Sequence, residues 1–173
     1  MDYIFETMSE SHRQAVIDIF NYHVQNSYSA YPEQPVEYRF FDRFLEMSRG
    51  YPAVAVKAGA EVVGFGFLRP FHPAATFQRT AEVAYFIMPE HTRQGLGTAM
   101  LEFFAEQAGK LGIDSLLASV SSRNHESLGF HLKNGFKECG RLARVCRKFG
   151  QDVDVVWLQK RLPEAETPEP HDL

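Results

Sequence analysis

The sequence predicts an α/β fold of the α+β type, in which helices pack on the faces of a mixed β-sheet. The first observation is the order of the elements, which is helix, helix, hairpin, strand, helix, strand, helix, strand, strand. The second is a strand–helix–strand unit over residues 79–120, which predicts one parallel crossover. The third is length, because 173 residues suffice for one domain with a sizeable core.

Two helices are predicted before the first hairpin. The first is expected over residues 8–24, because Thr7 and Glu10 have the spacing of a capping box. The residues that form its apolar face are Ala15, Val16, Ile19, Phe20 and Val24. A loop with two prolines follows, and the second helix is expected between Pro35 and Gly50.

The central segment combines three strands with one helix. Residues 51–71 are predicted to form two strands around a turn at Gly59. Residues 79–88 form the next strand, which ends at Pro89 because proline cannot continue a β-ladder. A helix over 97–111 and a buried strand over 113–120 follow.

The C-terminal part adds a short helix and two strands. Asn124 is the expected N-cap of this helix. The last two strands are predicted over residues 141–148 and 153–160. Residues 163–173 are rich in Pro and Glu, which predicts a disordered tail behind a single domain of residues 1–162.

Composition and charge narrow the classes of function. The net charge of -4 provides no basic patch, so no nucleic-acid partner is expected. No apolar run reaches membrane-spanning length, so no membrane association is expected. Cys139 and Cys146 lack CxxC spacing and the N-terminus lacks a signal pattern, which favours a reduced, cytoplasmic protein. The histidines show no metal-ligand spacing, so no metal is expected.

The stretch HTRQGLGTAM places two glycines where strand 79–88 gives way to helix 97–111. The first N–H groups of a helix have no partner within it, and the helix dipole makes this end partly positive. Glycine lets a phosphate approach the backbone closely, although a tight turn alone would also require glycine. The pattern is neither a Rossmann fingerprint nor a P-loop. The donors of such a phosphate cradle are Arg93, Gln94, Gly95, Leu96, Gly97 and Thr98.

Several motifs occur together in a family-specific order. EVAYFIMPEHTRQGLGTAMLEFF, followed by SSRNHESLGFHLKNGFKECG, resembles the GNAT superfamily of N-acetyltransferases, whose signature is Q/R-x-x-G-x-G/A. The segments FNYHVQNSYSAY, GYPAVAV, LRPF, RTAEVAYFI, NGF and KFGQDVDVVWLQ are similar to those of its phosphinothricin and methionine sulfoximine acetyltransferase group. The resemblance covers residues 3–162. The chain departs from the signature at Thr92, and it has Tyr31 where the group commonly has tryptophan.

The resemblance implies which residues carry the reaction. Glu82 is expected to be the general base, and His131 is the candidate general acid or a residue that orients the sulfur of the coenzyme. From the residues alone, Glu82 could be a surface glutamate and Asn124 only a helix cap. The implied cofactor-binding residues are Tyr85, Phe86, Ile87, Arg93, Gln94, Gly95, Leu96, Gly97, Thr98 and Asn124. The implied acceptor-binding residues are Arg69, Pro70, Phe71, Glu82, Val83, Ala84 and Tyr31.

The implied protein is a homodimeric, acetyl-CoA-dependent N-acetyltransferase. Its expected sheet is mostly antiparallel, with about seven strands flanked by about four helices. The expected reaction is direct transfer, in a ternary complex, to the primary amine of a small amino-acid-like acceptor, whose carboxylate suits an arginine such as Arg69. Three other acceptors stay open, namely a peptide N-terminus, a polyamine or an aminoglycoside, as does a non-catalytic acyl-CoA-binding module.

Overall fold

The structure, a computed structural model, describes residues 2–163. Its strands are β1 (Tyr3–Thr7), β2 (Ala53–Ala58), β3 (Glu61–Pro70), β4 (Thr80–Ile87), β5 (Ser115–Ser121), β6 (Lys137–Lys148) and β7 (Gln151–Arg161). Its helices are α1 (Arg13–Asn26), α2 (Phe41–Met47), α3 (Leu96–Lys110) and α4 (His125–Lys133). The strands form one sheet in the order β1-β2-β3-β4-β5-β7-β6, in which only the β4–β5 pair is parallel. The predicted fold class and the parallel crossover are therefore confirmed.

The sheet is covered by a helical layer on each face. One core cluster joins α1 and α2 to the sheet, and the other joins α3 and α4 to its opposite face. Successive side chains of a strand point to opposite faces, so β4 contributes to both clusters. Val83 and Tyr85 face α3 and α4, whereas Ala84 and Phe86 face α1 and α2.

The two parallel strands diverge soon after they pair. β4 and β5 are paired only from Thr80 to Glu82 on one side and from Ser115 to Leu117 on the other. Beyond Glu82, β4 continues paired with β3 alone, while β5 continues paired with β7. A gap thus opens at the carboxyl ends of the two parallel strands, which is where open sheets commonly bind ligands.

The N-terminal segment differs most from the prediction. Residues Tyr3–Thr7 form the edge strand β1, which was not predicted, and α1 begins only at Arg13. The capping box lies at Ser9 and His12, where the Ser9 N–H donates to His12 Nδ1 at 3.1 Å, and not at Thr7 and Glu10. Thr7 cannot cap the helix because it is the last residue of β1.

Other boundaries shift by smaller amounts. α2 is shorter than the predicted helix, because a 3-10 turn occupies residues 38–40 and the helix ends at Met47. β6 begins at Lys137 rather than at residue 141. Cys139 and Cys146 are free thiols in this structure. Within residues 2–163, no helix is long and apolar enough to cross a membrane. The predicted tail lies outside the described residues from residue 164 on.

Candidate active site

Glu82 lies where the gap between β4 and β5 opens. It is the last residue of β4 that pairs with β5, and it is 8% exposed. Arg69 stands opposite it on β3, and its Nε and Nη2 lie 3.0 and 2.8 Å from Glu82 Oε2. Glu82 Oε1 forms no hydrogen bond with any residue from 2 to 163. The ion pair thus orients the carboxylate through one oxygen and leaves the other available.

Arg69 and Glu82 belong to the face of the sheet that carries α1 and α2. The Arg69 Nη1 lies 3.4 Å from the sulfur of Met47 at the end of α2. Phe71, just beyond β3, packs edge-on against Trp157 of β7 with ring centroids 6.0 Å apart. Trp157 is the register partner of Ser119 on β5. Aromatic side chains therefore border the gap on this face beside the ion pair.

A loop over residues 27–31 borders the same face. Its Tyr31 is 43% exposed, yet burial of the hydroxyl end raises the pKa of Tyr31, with smaller effects from Ser119, Cys146 and Glu82. Tyr31 follows Ala30, which belongs to the core cluster of α1 and α2 on the face where Glu82 lies.

Lys148, the last residue of β6, binds the loop of residues 27–31 through hydrogen bonds. Its ammonium group donates to the carbonyls of Ser27 at 2.7 Å and Ala30 at 2.5 Å. The residue is only 3% exposed, and this burial lowers the pKa of Lys148. Phe149 packs against Tyr28 with ring centroids 5.4 Å apart. The β6–β7 hairpin therefore fixes the loop to the sheet.

Asn124 ties the same loop to α4. Its Oδ1 accepts the N–H of Ser127 at 3.1 Å, which confirms the predicted N-cap. Its Nδ2 donates to Ser29 Oγ at 2.9 Å. Both ends of the amide are engaged, so Asn124 connects the two halves of the site in this structure.

The N-terminus of α3 follows β4 in the chain and lies at the β4 side of the gap between β4 and β5. The N-cap is Gly95 with φ of 85°, and no side chain from residues 2–163 caps the helix. The first backbone bond of the helix runs from the Ala99 N–H to the Gly95 carbonyl. The N–H groups of the first three helical residues, Leu96 to Thr98, therefore have no acceptor among the described residues. Such unpartnered groups at the positive end of a helix dipole suit an anion.

The absence of a side chain at Gly97 allows α4 to pack closely against α3, and it also allows a ligand to approach the backbone. A Cβ at this position would lie 3.2 Å from the ring of Phe130 on α4. Arg93 has φ of 58° and forms an ion pair with Glu126, both of them exposed. The turn is thus shaped by glycine at Gly95 for its φ and at Gly97 for the close approach of α4.

Alternate residues of β4 direct their backbone groups into the gap. The Met88 N–H donates to the Val63 carbonyl at 2.9 Å, so even-numbered positions bond to β3. Tyr85 and Ile87 occupy the intervening positions, and their N–H and C=O groups face away from β3. The backbone of Phe86 instead forms hydrogen bonds with β3. Of Tyr85, Phe86 and Ile87, which were expected to offer backbone groups to the cofactor, Phe86 is therefore the one that cannot do so.

His23 of α1 occupies one of these backbone groups. Its Nε2 lies 2.9 Å from the Ile87 carbonyl, and its Nδ1 lies 3.1 Å from Ser27 Oγ. A carbonyl only accepts, so the proton is on Nε2, and burial lowers the pKa of His23. The N–H of Ile87 and both groups of Tyr85 are left for a ligand.

His131 lies on the opposite face, within α4. It is 4% exposed and is enclosed by the rings of Phe130, Phe136 and Tyr85. Its Nδ1 is 2.7 Å from the Ser127 carbonyl, and its Nε2 is 2.7 Å from the Tyr85 hydroxyl. Burial lowers the pKa of His131 and raises that of Tyr85. The two expected catalytic side chains therefore flank the sheet, Glu82 on one face and His131 on the other.

The structure gathers most of the predicted residues around one gap. Pro70 ends β3 beside Ala81, and Ala84 faces the side of Glu82. The side chain of Val83 instead faces α3 and α4, so only its backbone can reach an acceptor. The sequence reasoning missed Met47, Ser29, Ser119, Trp157, Lys148 and the hydroxyl of Tyr85. Four of these carried a signal, since Ser29, Tyr85, Lys148 and Trp157 lie in the motifs FNYHVQNSYSAY, RTAEVAYFI and KFGQDVDVVWLQ.

Comparison with known proteins confirms the resemblance. Residues 16–136 match the sequence model described as the Acetyltransferase (GNAT) family. The L-methionine sulfoximine/L-methionine sulfone acetyltransferase of Pseudomonas aeruginosa is 30% identical over 152 residues, covering 85% of this chain and 87% of that protein. The phosphinothricin N-acetyltransferase of Alcaligenes faecalis is 27% identical over 160 residues, covering 88% and 79%. The crystal structure of a phosphinothricin acetyltransferase from Sinorhizobium meliloti in complex with AcCoA shares the fold, with a TM-score of 0.87 at 21% identity over 100% of this chain and 98% of that one.

Proposed function

The chain belongs to the acetyltransferase (GNAT) family and is an N-acetyltransferase, and we propose that it acetylates the primary amine of a small amino-acid-like acceptor. The acceptor class has the form of methionine sulfone, methionine sulfoximine or phosphinothricin, after the names of the relatives. The observation that carries the proposal is Glu82 at the mouth of the gap, with Oε2 held by Arg69 and Oε1 without a hydrogen bond to any described residue.

The other side of the gap fits acetyl-CoA. Three N–H groups at the start of α3 have neither an acceptor nor a capping side chain within the described part of the chain, and they suit its pyrophosphate. The backbone groups of Tyr85 and the N–H of Ile87 suit an extended amide chain, which can pair with an open strand edge. When bound, acetyl-CoA supplies the acetyl thioester. Thr92 forms a local bond to the Pro89 carbonyl at 2.8 Å, which leaves the backbone of the turn to hold the anion.

The positions of the two expected catalytic groups support direct transfer. Glu82 reaches the gap from the face of α1 and α2, and His131 lies behind the other face. An amine entering beside Glu82 can give its proton to Oε1, while the leaving thiol takes a proton from the side of His131. Both substrates then meet at the gap at the same time, so no step requires an acylated side chain.

Arg69 supports an acceptor that carries a carboxylate. The side chain is 35% exposed, and a guanidinium has more N–H groups than Arg69 uses on Glu82 and on the sulfur of Met47. Guanidinium donors match a carboxylate well, and an α-amino acid presents its carboxylate next to its amine. Arg69 thus orients both the base and, in this proposal, the acceptor.

The experiment is a measurement of thiol release from acetyl-CoA with a panel of amines. The panel contains methionine sulfone, methionine sulfoximine, phosphinothricin, free amino acids, polyamines and short peptides. The matched control is the amine that corresponds to methionine sulfone without its carboxylate. We expect turnover with the sulfone and at least tenfold lower kcat/KM with the control, since one charge-assisted contact contributes about 1.5–3 kcal/mol. Turnover only with polyamines or peptides would overturn the acceptor class, and binding of CoA without turnover of any amine would favour a non-catalytic module.

We further propose a cytoplasmic homodimer, as the family resemblance implies. The two free thiols, Cys139 and Cys146, suit a reducing compartment. The outer edge of β6 exposes Leu142 and Val145, which are 51% and 52% exposed and available to a second copy. Light scattering of the purified protein tests the assembly, and a mass of one chain would contradict it.

A further inference from the structure

Ile87, the last residue of β4, lies beside the start of α3. A Cβ placed on Gly97 would be 3.8 Å from Ile87 Cδ1, so the Ile87 side chain contacts the first turn of that helix. The Met88 N–H bonds to the Val63 carbonyl, so the hydrogen bonds between β4 and β3 fall on even-numbered residues of β4. The N–H and C=O of Ile87 therefore point away from β3, at the strand end beside the N–H groups of α3 that suit an anion.

His23 of α1 binds the carbonyl of Ile87 and leaves its N–H. His23 Nε2 lies 2.9 Å from the Ile87 carbonyl oxygen, which can only accept, so Nε2 carries a hydrogen. Burial lowers the pKa of His23, so the ring is neutral at about pH 7 and its Nδ1 has no hydrogen. Nδ1 lies 3.1 Å from the Ser27 hydroxyl, which is able to donate to it. The neutral ring thus satisfies both contacts with one tautomer.

Several elements of the fold fix the orientation of the His23 ring. The ring packs on Phe86 of β4, with centroids 5.6 Å apart. Its partner Ser27 is held in turn, because Lys148 donates to the Ser27 carbonyl at 2.7 Å. The Ser29 N–H also donates to the Ser27 hydroxyl oxygen, at 3.1 Å. The donor at Nε2 is therefore in place before any ligand binds, and such preorganisation lowers the cost of binding.

The bond from His23 determines what the end of β4 offers to a ligand. A carbonyl oxygen is the negative end of a peptide dipole, and this one belongs to the residue that contacts Gly97. When unbound, it would oppose an anion held by the N–H groups of residues 96–98. With the carbonyl bound by His23, Ile87 offers its N–H. The end of β4 and the start of α3 then present donors to the same ligand.

We propose that His23 is a positioning residue for acetyl-CoA, which binds the Ile87 carbonyl and thereby fixes the Ile87 N–H and the adjoining turn of α3 for the anionic cofactor. This inference rests on the proposed function. His23 transfers no proton and does not contact the reacting atoms in this role. Its effect is therefore on the affinity for the cofactor and on the KM for acetyl-CoA, and not on kcat.

Two amide substitutions separate the two ends of the ring. His23→Asn places an amide near the position of Nδ1, which can reach Ser27 but not Ile87. His23→Gln reaches farther and keeps a donor for the Ile87 carbonyl. The matched control is Gln25→Asn, which makes a comparable change at an exposed position of α1.

The measurement is calorimetric titration of each variant with CoA. We expect the Kd for CoA to rise about tenfold in His23→Asn, as for the loss of one strong hydrogen bond, and by no more than about threefold in His23→Gln. The control should match the wild type. In steady-state assays His23→Asn should raise the KM for acetyl-CoA about tenfold and change kcat by less than about twofold.

A further readout needs neither a variant nor turnover. Nitrogen-15 NMR of the free wild type should show His23 with a protonated Nε2 and a bare Nδ1, and a bare Nε2 would overturn the proposal. An unchanged or tighter Kd for CoA in His23→Asn, or equal losses in the Asn and Gln variants, would overturn it too. If the wild type binds CoA but acetylates no amine, the proposed function fails, whereas the CoA affinities still decide the role of His23.

Discussion

Replacing Lys148 with methionine is expected to loosen the loop of residues 27–31 and weaken binding of the acceptor. Methionine has a similar length, so it fills the space of the lysine stem. It removes the two donors that meet the carbonyls of Ser27 and Ala30. The loop carries Tyr31, which the family resemblance implies for acceptor binding.

The size of the effect follows from the burial of the two carbonyls. Ala30 is 2% exposed, so its carbonyl loses its partner without gaining water, at a cost of about 1–3 kcal/mol. Ser27 is less buried, and water can replace the ammonium there. Loss of the buried charge recovers part of this cost, because burial lowers the pKa of Lys148 and so opposes its ionised form. A net change near 1.4 kcal/mol in the ordering of the loop corresponds to about tenfold in apparent affinity.

The assay is steady-state thiol release with each substrate varied in turn. We expect the KM for the acceptor to rise about tenfold and the KM for acetyl-CoA to rise by much less, since the loop reaches the cofactor side only through the bond of Ser29 to Asn124 among the described residues. The matched control is Lys137→Met at the other, exposed end of β6. An unchanged acceptor KM, or an equal rise for both substrates, would refute the role of Lys148 in holding the acceptor side of the site.

Three further predictions concern the ion pair, the core and pH. Arg69→Gln removes both donors to Glu82 Oε2 and should lower kcat/KM for the acceptor about 10- to 100-fold, with calorimetric affinity for CoA unchanged. Gly66→Ala places a Cβ 2.8 Å from the Ala84 carbonyl oxygen and should lower the free energy of unfolding by about 1–3 kcal/mol, whereas Gly109→Ala, with no atom within 4 Å, should not lower it. Burial lowers the pKa of His23 and His131, so the unfolded chain binds protons more tightly than the native one, and stability should fall as pH drops below about 6.5. In urea titrations at a series of pH values, His23→Gln should reduce the slope of the free energy of unfolding against pH by at most about 1.4 kcal/mol per pH unit. An unchanged slope would contradict the lowered pKa of His23.

The periodic elements of the fold were predictable because their patterns are long. The apolar face of α1 and the alternation of strand, glycine turn and helix around α3 each extend over a dozen residues or more. The edge strand β1 was missed because five residues with Ile4 53% exposed give little periodicity. The capping box was misplaced because Thr7 and Glu10 also have the right spacing, and only pairing of β1 with β2 removes Thr7 from the helix.

The site was predictable only where a local motif exists. The turn at Gly95 and the positions of Glu82 and His131 follow from short segments of sequence. The ion pair of Arg69 with Glu82 depends on the register of β3 against β4, which no local pattern specifies. The contact of Lys148 with Ala30 joins residues 118 positions apart, and the bond of Tyr85 to His131 joins residues 46 apart. Such contacts arise from the sheet order and become visible only in the folded chain.

The most direct test of the central claim is the activity of Glu82→Gln, because the amide keeps the shape of the side chain and an oxygen for Arg69. Thiol release from acetyl-CoA would be measured with the best acceptor of the panel, and CoA binding would be measured separately by calorimetry. A base at Glu82 predicts a fall in kcat of about 100-fold or more with unchanged CoA affinity. Equal turnover in Glu82→Gln and the wild type would show that the carboxylate at the gap is not the base.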